Sequence, residues 1–404
     1  MFRNRILAIF IVLVSALAGA QRALSQPGAT PPSYYQVVGA VALELPHLGG
    51  VESVANDVND SGQIVGWSSD NTGVRRAVLI QSGTAHAIGT TVDGEESSAE
   101  GINGTGEVVG YFDRGRYRPF YWHVSTGLVK MSVHLLENEP AGDKYSLRPY
   151  AINDSGLIVG RGNYSELDAP LQRCLWSVAV YWPSPTANPH VMLCQGEWWG
   201  SSPATDVSNS GWIAHFNEEF NYDRAFRRAL PLGVSEPVPD FPSGLSSLHL
   251  WGINESGVVV GEAESAFMSN LGYPTVGYFW NGSSTNPTSI VPFSGGGKAS
   301  AFDVNEQNFV AGFAEKAMLV FGDDAVGERA FLWHEHFGKY ELPTPEAWTG
   351  LVRNCRANAL GDLHTNPRGG MSMRVVGFCQ KKNGPMQAVQ WLVSLGKTST
   401  PPVR

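Results

Sequence analysis

A short stretch, AINDSGLIVG from Ala151 to Gly160, returns along most of this chain, and a chain built on it has few ways to fold. Its relatives read VNDSGQIVG (Val58–Gly66), INGTGEVVG (Ile102–Gly110), VSNSGWIAH (Val207–His215), INESGVVVG (Ile253–Gly261) and VNEQNFVAG (Val304–Gly312). A last copy, ANALGDL from Ala357, has its VVG delayed to Val375–Gly377. The Asn position falls at Asn59, Asn103, Asn153, Ser208, Asn254, Asn305 and Asn358. That is a period of about 50 residues, the spacing of a propeller, solenoid or array. In each copy Asn or Asp opens a turn by bonding its own backbone, and Gly supplies the positive φ of a tight hairpin. Alternating and β-branched residues on both sides make the arms strands. The repeat is therefore a β-hairpin.

A second signature follows each hairpin: RAVLI (Arg76–Ile80), RPFYW (Arg118–Trp122), VAVYW (Val178–Trp182), RAFRR (Arg224–Arg228), VGYFW (Val276–Trp280), RAFLW (Arg329–Trp333) and QAVQW (Gln387–Trp391). Its second place is always Ala, Pro or Gly and its fifth is usually Trp, a packing pattern of close sheet approach beside a large ring. A short apolar strand comes next, which makes four strands per repeat, the content of a propeller blade. The seventh repeat runs out after its third strand, Gln387–Val393, while an orphan strand, Tyr35–Val41 or Leu43–Leu48, precedes the first hairpin. An N-terminal strand that completes the last blade accounts for both, whereas a linear solenoid would leave two open edges. The expectation is an all-β, seven-bladed propeller, with six or eight blades as the alternatives.

The alternation of [IV]N-x-x-G-x-[IV]VG with RAF[LY]W resembles the HAF repeat of probable extracellular bacterial proteins, over roughly Tyr35 to Leu395. That resemblance implies a secreted repeat protein and supplies no catalytic residues. The fourth copy (Ser208 for Asn, Ala214-His215 for Val-Gly) and the seventh (an insertion, His364–Arg374) depart from it, so distortion is expected in those two blades.

Export is legible at the N-terminus. Arg3 and Arg5 precede an apolar run, Ile6 to Ala18, and Ala18-Gly19-Ala20 fits a cleavage site, with Ser25 as the other choice. The run is shorter than a membrane span, and no second apolar segment suits an anchor, so no stable membrane anchor is expected. The reading divides the chain into a signal peptide (1–20), a disordered segment (21–34), the propeller (35–396) and a polar tail (397–404). A secreted protein, or a periplasmic one, follows. In that compartment Cys174, Cys194, Cys355 and Cys379 are read as two disulfides. Of the three connectivities, Cys174 with Cys194 and Cys355 with Cys379 is favoured, because each pair lies inside one repeat. Four free thiols is the alternative. A net charge of −9 without a Lys/Arg cluster argues against nucleic acid as a partner.

Propeller ligands gather where the loops into the innermost strands converge. Asp93, Glu95, Glu96, Glu137, Glu139 and Asp143 would make part of that rim acidic, and Trp198, Trp199 and Trp348 would add aromatic faces. Rings beside carboxylates suit a glycan or a cationic peptide, so a glycan or an extracellular protein is the expected partner class. The reading is a non-enzymatic binding platform; the alternative is a carbohydrate-active hydrolase or lyase using two rim carboxylates. No catalytic residue, metal site or cofactor is assigned: the HxH at His334 and His336 reads as structural by equivalence with His123, and no DxDxDG-like calcium loop occurs. The NGT, NDS and NES sequences read as by-products of the turn. Finally, Asp57, Asp206 and Asp303 occur in repeats that also carry Arg76, Arg224 and Arg329. Three structural Asp–Arg pairs, each within one blade, are expected from that correlation.

Overall fold

The computed structural model describes residues 34–89, 95–134, 145–164, 178–193, 203–217, 223–230, 233–241, 245–265, 274–317, 326–348, 351–365 and 370–399. These form seven antiparallel sheets in a ring, a seven-bladed β-propeller. The innermost strands, which define blades 1 to 7, are Gly49–Val58, Glu96–Ile102, Tyr145–Ile152, Ala204–Val207, Leu245–Ile253, Ala299–Val304 and Val352–Leu360. Each is followed by a second, third and outer strand. Blade 7 takes its outer strand, Tyr34–Glu44, from the other end of the chain, paired antiparallel with Met386–Thr398. The closing strand thus starts at Tyr34 and ends before LPHLGG, and its partner runs into the segment read as a tail. His334 and His336 belong to this closure: the Tyr35 amide donates to His336 Nδ1 at 3.2 Å, and the Tyr35 ring lies 5.5 Å from that of buried His334.

The hairpin repeat joins the inner and second strands of a blade. Its turn glycines have positive φ, 77° at Gly62 and 79° at Gly156; in blade 6 Asn308 takes that place at 63°. The glycine that ends the motif has another cause. Every inner strand carries a register shift just before the hairpin, as between Ala55 and Asp57 or Leu250 and Gly252, which marks a β-bulge. The bulge brings an inner carbonyl against the second strand, so a Cβ on Gly66 would meet the Val54 oxygen at 2.1 Å and one on Gly261 the His249 oxygen at 1.9 Å. Packing between blades is apolar. The small residues of the second signature are buried (Ala77, Ala179, Ala225, Ala330, Ala388), as are Trp182, Trp280, Trp333 and Trp391.

Of the two blades expected to be distorted, blade 4 is a correction, whereas blade 7 does depart from the others: its insertion adds a short fifth strand, His364–Thr365, paired with Met371–Lys381. Blade 4 keeps four strands and the common bulge, with Ala204 paired to His215. In blade 7 Leu360, not Ala357, pairs with Val375 as Ile102 pairs with Val108, so Gly361 occupies the motif Asn position. Asn358 instead sits at the bulge, as Asn56 does in blade 1, and each donates to an inner-strand carbonyl of the next blade (Ala55 at 2.9 Å, Ala99 at 2.8 Å). The similarity of ANALGDL to the motif was an offset of three residues.

Candidate functional site: the central channel

The seven hairpins converge on a cavity of about 270 Å³ at one end of the channel. Its wall is built from two belts of hydrogen bonds that run from blade to blade. In the first, the motif Asn accepts the amide of the residue four places on with Oδ1, as from Gln63 at 3.0 Å, and donates with Nδ2 to the same position in the next blade. Asn59 reaches the Asn103 carbonyl at 3.0 Å, Asn103 that of Asn153 at 3.0 Å, Asn153 that of Ser208 at 2.9 Å, Asn254 that of Asn305 at 3.0 Å, and Asn305 that of Gly361 at 3.1 Å. In the second, the following side chain accepts the equivalent amide of the preceding blade. Asp154 takes the Gly104 amide at 2.7 Å, Glu306 takes that of Glu255 at 2.9 Å, Asp362 takes that of Glu306 at 3.0 Å, and Asp60 takes that of Asp362 at 3.0 Å.

The belts cover one another's gaps. Ser208 is too short to reach blade 5, and there Glu255 accepts the Asn209 amide at 2.6 Å and Ser210 Oγ donates to the Glu255 carbonyl at 2.8 Å. Gly104 has no side chain to offer blade 1, and there Asn59 makes the bridge. The repeat carries both belts because neighbouring hairpins are equivalent. Neither belt is complete, but between them every junction is bridged, the one from blade 7 to blade 1 by Asp60 alone of the two belts, since Gly361 has no side chain.

Asp57, Asp206 and Asp303 belong to this wall, which overturns the expected Asp–Arg pairs. One carboxylate oxygen of each takes the next amide in its own chain, and the other takes an amide of the next blade: Ile102 at 2.8 Å, Ile253 at 2.8 Å and Leu360 at 2.9 Å. The arginines go elsewhere. Arg76 donates to Asp70 at 2.9 Å, Arg329 pairs with Glu341 at 3.4 Å, and Arg224 is exposed at the start of its strand. Side chains of one blade that point into the channel meet the neighbouring blade before they meet the third strand of their own. Desolvation is the main force on the three carboxyls. It pushes Asp57 up to about 7, Asp206 to about 8 and Asp303 to about 6, with the charge of Asp303 adding to the first two and the backbone amides opposing.

Away from the hairpins the wall changes. The bulge residues Asn56, Glu100, Tyr150, Thr205, Trp251, Phe302 and Asn358 are all half-buried, while the residue before each is buried. They form a ring that is polar over blades 7, 1 and 2 and aromatic at blades 3, 5 and 6. Next to it, blades 3, 5 and 7 each place a cation over a ring of the preceding blade and pair it with that blade's carboxylate. Arg148 lies 4.6 Å from the Tyr111 centroid and donates to Glu100 at 2.6 Å. His249 lies 4.7 Å from the Phe216 ring and 2.9 Å from Asp223, with Glu262 at 3.3 Å on its other nitrogen. Arg356 lies 4.4 Å over Phe313 and donates to Glu328 at 2.6 Å. Burial opposes charge on His249, but its two carboxylates outweigh that and hold it up to about 9, so it is an imidazolium at neutral pH. The indole Nε1 of Trp251 is buried, with no hydrogen-bond partner among the described residues.

Of the rim residues expected from sequence, Asp93, Glu137, Glu139, Asp143, Trp198 and Trp199 lie outside the described residues, as do Cys174 and Cys194. Glu95 is nearly buried and pairs with Arg114 at 3.1 Å; Glu96 is exposed at the start of its inner strand. Trp348 is a correction. It is 3% exposed, packed in the core of blade 7 with Lys381 Nζ 4.2 Å over its ring, and so presents no face to a ligand. Cys355 and Cys379 form a disulfide across directly paired strands. Among the described residues no group of three or more His, Cys, Asp or Glu is arranged to hold a metal ion, and no helix is long and apolar enough to cross a membrane. The belts escaped the sequence reading, although one signal was present: the residue after the motif Asn can accept a hydrogen bond at Asp60, Asp154, Asn209, Glu255 and Glu306.

No family model matches the chain, and no curated protein matches it. Among solved structures, a protein of unknown function from Dyadobacter fermentans is similar at 9% identity and a TM-score of 0.46, covering 90% of this chain and 99% of that one. A puromycin-hydrolyzing peptidase of Mycobacterium tuberculosis is similar at 9% identity and 0.45, covering 78% of this chain and 47% of the peptidase. Prolyl oligopeptidase B from Galerina marginata is similar at 10% identity and 0.44, covering 87% and 49%. The activities in those names belong to those proteins.

Proposed function

We propose that this chain is an exported, HAF-like repeat propeller that acts as a non-enzymatic binding platform, holding a glycan or an extended peptide against the aromatic arc of its channel. The observation that carries this reading is the bulge ring. Tyr150, Trp251 and Phe302 are partly exposed on innermost strands of neighbouring or nearby blades. Partly exposed aromatic rings lining a channel suit a ligand that has an apolar face. Binding is favoured over acid–base chemistry because the carboxylates beside that arc are engaged: Glu100 with Arg148, Asp223 and Glu262 with His249, and Glu328 with Arg356. A glycosidase needs two carboxyl groups free to act on one bond. The Cys355–Cys379 disulfide supports a location outside the cytoplasm, since such bonds persist in oxidising compartments.

The test is a glycan and peptide array probed with the mature protein and with Trp251→Ala and Phe302→Ala. The reading expects at least tenfold weaker binding in each variant, measured where circular dichroism shows the variant folded, because both rings pack on neighbours and their loss also lowers the melting temperature. Full binding by both variants refutes the aromatic arc, and release of cleaved product from the bound ligand would replace the platform with a hydrolase or lyase.

A further inference from the structure

Two junctions of the ring seat a guanidinium on the turn glycine of the next blade, and only one of the seats is complete. Between blades 4 and 5, Arg227 donates from Nη1 to the Gly257 carbonyl at 2.6 Å. Its Nε and Nη2 donate to Glu236 at 2.9 and 2.8 Å, and Trp212 and Trp280 lie 4.8 and 4.7 Å from it. Between blades 7 and 1, Arg374 donates from Nη1 to the equivalent Gly62 carbonyl at 2.6 Å. It lies so close that a Cβ on Gly62 would meet that nitrogen at 2.2 Å. Here the carboxylate and the rings are missing. Arg374 Nε and Nη2 have no partner among the described residues and are accessible to solvent.

Both losses have a cause in the sequence. Gln390 holds the fourth place of the second signature, as Arg227 does, but its outer-strand partner is Leu43 where Arg227 has Glu236. The fifth place in blade 1 is Ile80, where five repeats, including blade 5 with Trp280, have Trp. A cavity of about 310 Å³ occupies this junction, lined by Ile80, Leu45, Gln81, Ser82, Arg374 and Gln390 among others, and by no Asp or Glu. The segments outside the described residues that flank the second, third and outer strands of blade 7 (1–33, 366–369 and 400–404) contain no Asp or Glu either. The space exceeds the roughly 150 Å³ of a cavity that takes up benzene.

We propose that this cavity is a second binding site, distinct from the channel, for a small aromatic carboxylate, a hydroxybenzoic acid in chemical class. The ring takes the space that Trp280 fills between blades 4 and 5 and lies against the Arg374 guanidinium, a cation–π contact. The carboxylate accepts from Nε and Nη2 as Glu236 does from Arg227, a charge-assisted pair. The Gln81 and Gln390 amides and the Ser82 hydroxyl offer partners to a ring hydroxyl.

Isothermal titration of the mature protein with 4-hydroxybenzoate tests the site, with phenol and acetate as the other probes. Saturable 4-hydroxybenzoate binding is expected, with phenol and acetate each at least tenfold weaker. Arg374→Gln, which keeps a donor and removes the charge, should bind 4-hydroxybenzoate at least tenfold more weakly. So should Ile80→Trp, which fills the cavity with the residue of five other repeats; circular dichroism checks that both variants are folded. Trp251→Ala is expected to keep 4-hydroxybenzoate binding, so this site and the channel reading fail separately. Absence of saturable binding to the parent protein, phenol bound as tightly as 4-hydroxybenzoate, unchanged binding in either folded variant, or loss of binding in Trp251→Ala would overturn the proposal.

Discussion

Replacing Asn254 with Ala removes one complete unit of the first belt. The side chain is 2% exposed and makes four hydrogen bonds: it donates to the Asn305 carbonyl and Asn308 Oδ1, each at 3.0 Å, and accepts the amides of Ser256 at 3.1 Å and Val258 at 3.0 Å. Alanine leaves the Val258 amide without its side-chain acceptor inside a buried turn, a cost of about 1–3 kcal/mol. Loss of the bridge to blade 6 adds about 1 kcal/mol. The expected total is about 3 kcal/mol. Asn254→Ser is the informative partner, because blade 4 already shows what serine can do: Ser208 Oγ accepts the Trp212 amide at 3.1 Å, so the turn survives and the bridge does not. That variant should lose about 1–2 kcal/mol. Urea unfolding reads both as lower midpoints at an unchanged slope. An Asn254→Ala midpoint equal to the parent, or equal losses in the two variants, would refute the belt as a source of stability.

Acidity should act in the unusual direction. Asp57, Asp206 and Asp303 have folded pKa values of about 7, 8 and 6 against an ordinary 3.8, so the folded state holds more protons than the unfolded state between those limits. Their contribution is present at low pH and is lost as pH rises through 6 to 8, and His249, held up to about 9, adds a loss of the same sign above 6.5. The melting temperature should fall from pH 5.5 to pH 8.5, and a flat or rising profile would contradict the placement of these groups. Deleting the chain through Glu44 uncovers the edge of Met386–Thr398; oligomers in size-exclusion chromatography and a lower melting temperature are expected, and an unchanged monomer would argue against closure by the N-terminal strand.

Much of the fold was legible because its cause is local. Asn, Gly and flanking β-branched residues specify a hairpin within ten residues, and counting strands at the two ends was enough to predict how the ring closes. The channel was legible only in part, because its bonds join residues one repeat apart and a repeat reads the same whichever neighbour its side chains meet. Asp57 and Arg76 vary together within a blade, yet one turns to the next blade's Ile102 amide and the other to Asp70. Asn358 imitated the motif because the bulge and the turn both accept Asn, and only strand register separates them. Trp348 looked like a rim residue because it follows a loop signal, while the three-residue 3-10 turn Glu346–Trp348 folds it inward. The bulge itself, which selects the channel-lining residues, leaves no compositional trace: its seven residues share neither size nor polarity.

Closure by the first strand also sets a schedule. Tyr34–Glu44 leaves the ribosome before any blade, and its partner, Met386–Thr398, leaves after all of them. Bringing together segments about 350 residues apart, instead of about 50, adds only about 2 kcal/mol of loop entropy, so the finished ring is thermodynamically little affected. The kinetics are affected far more, since contacts this distant in sequence form late. Through synthesis the first strand waits unpaired while six blades accumulate beside it, and the most aggregation-prone species is the nearly complete chain. Slow acquisition of the closed state and slow escape from it would then share one molecular event, the zipping and unzipping of a single strand pair.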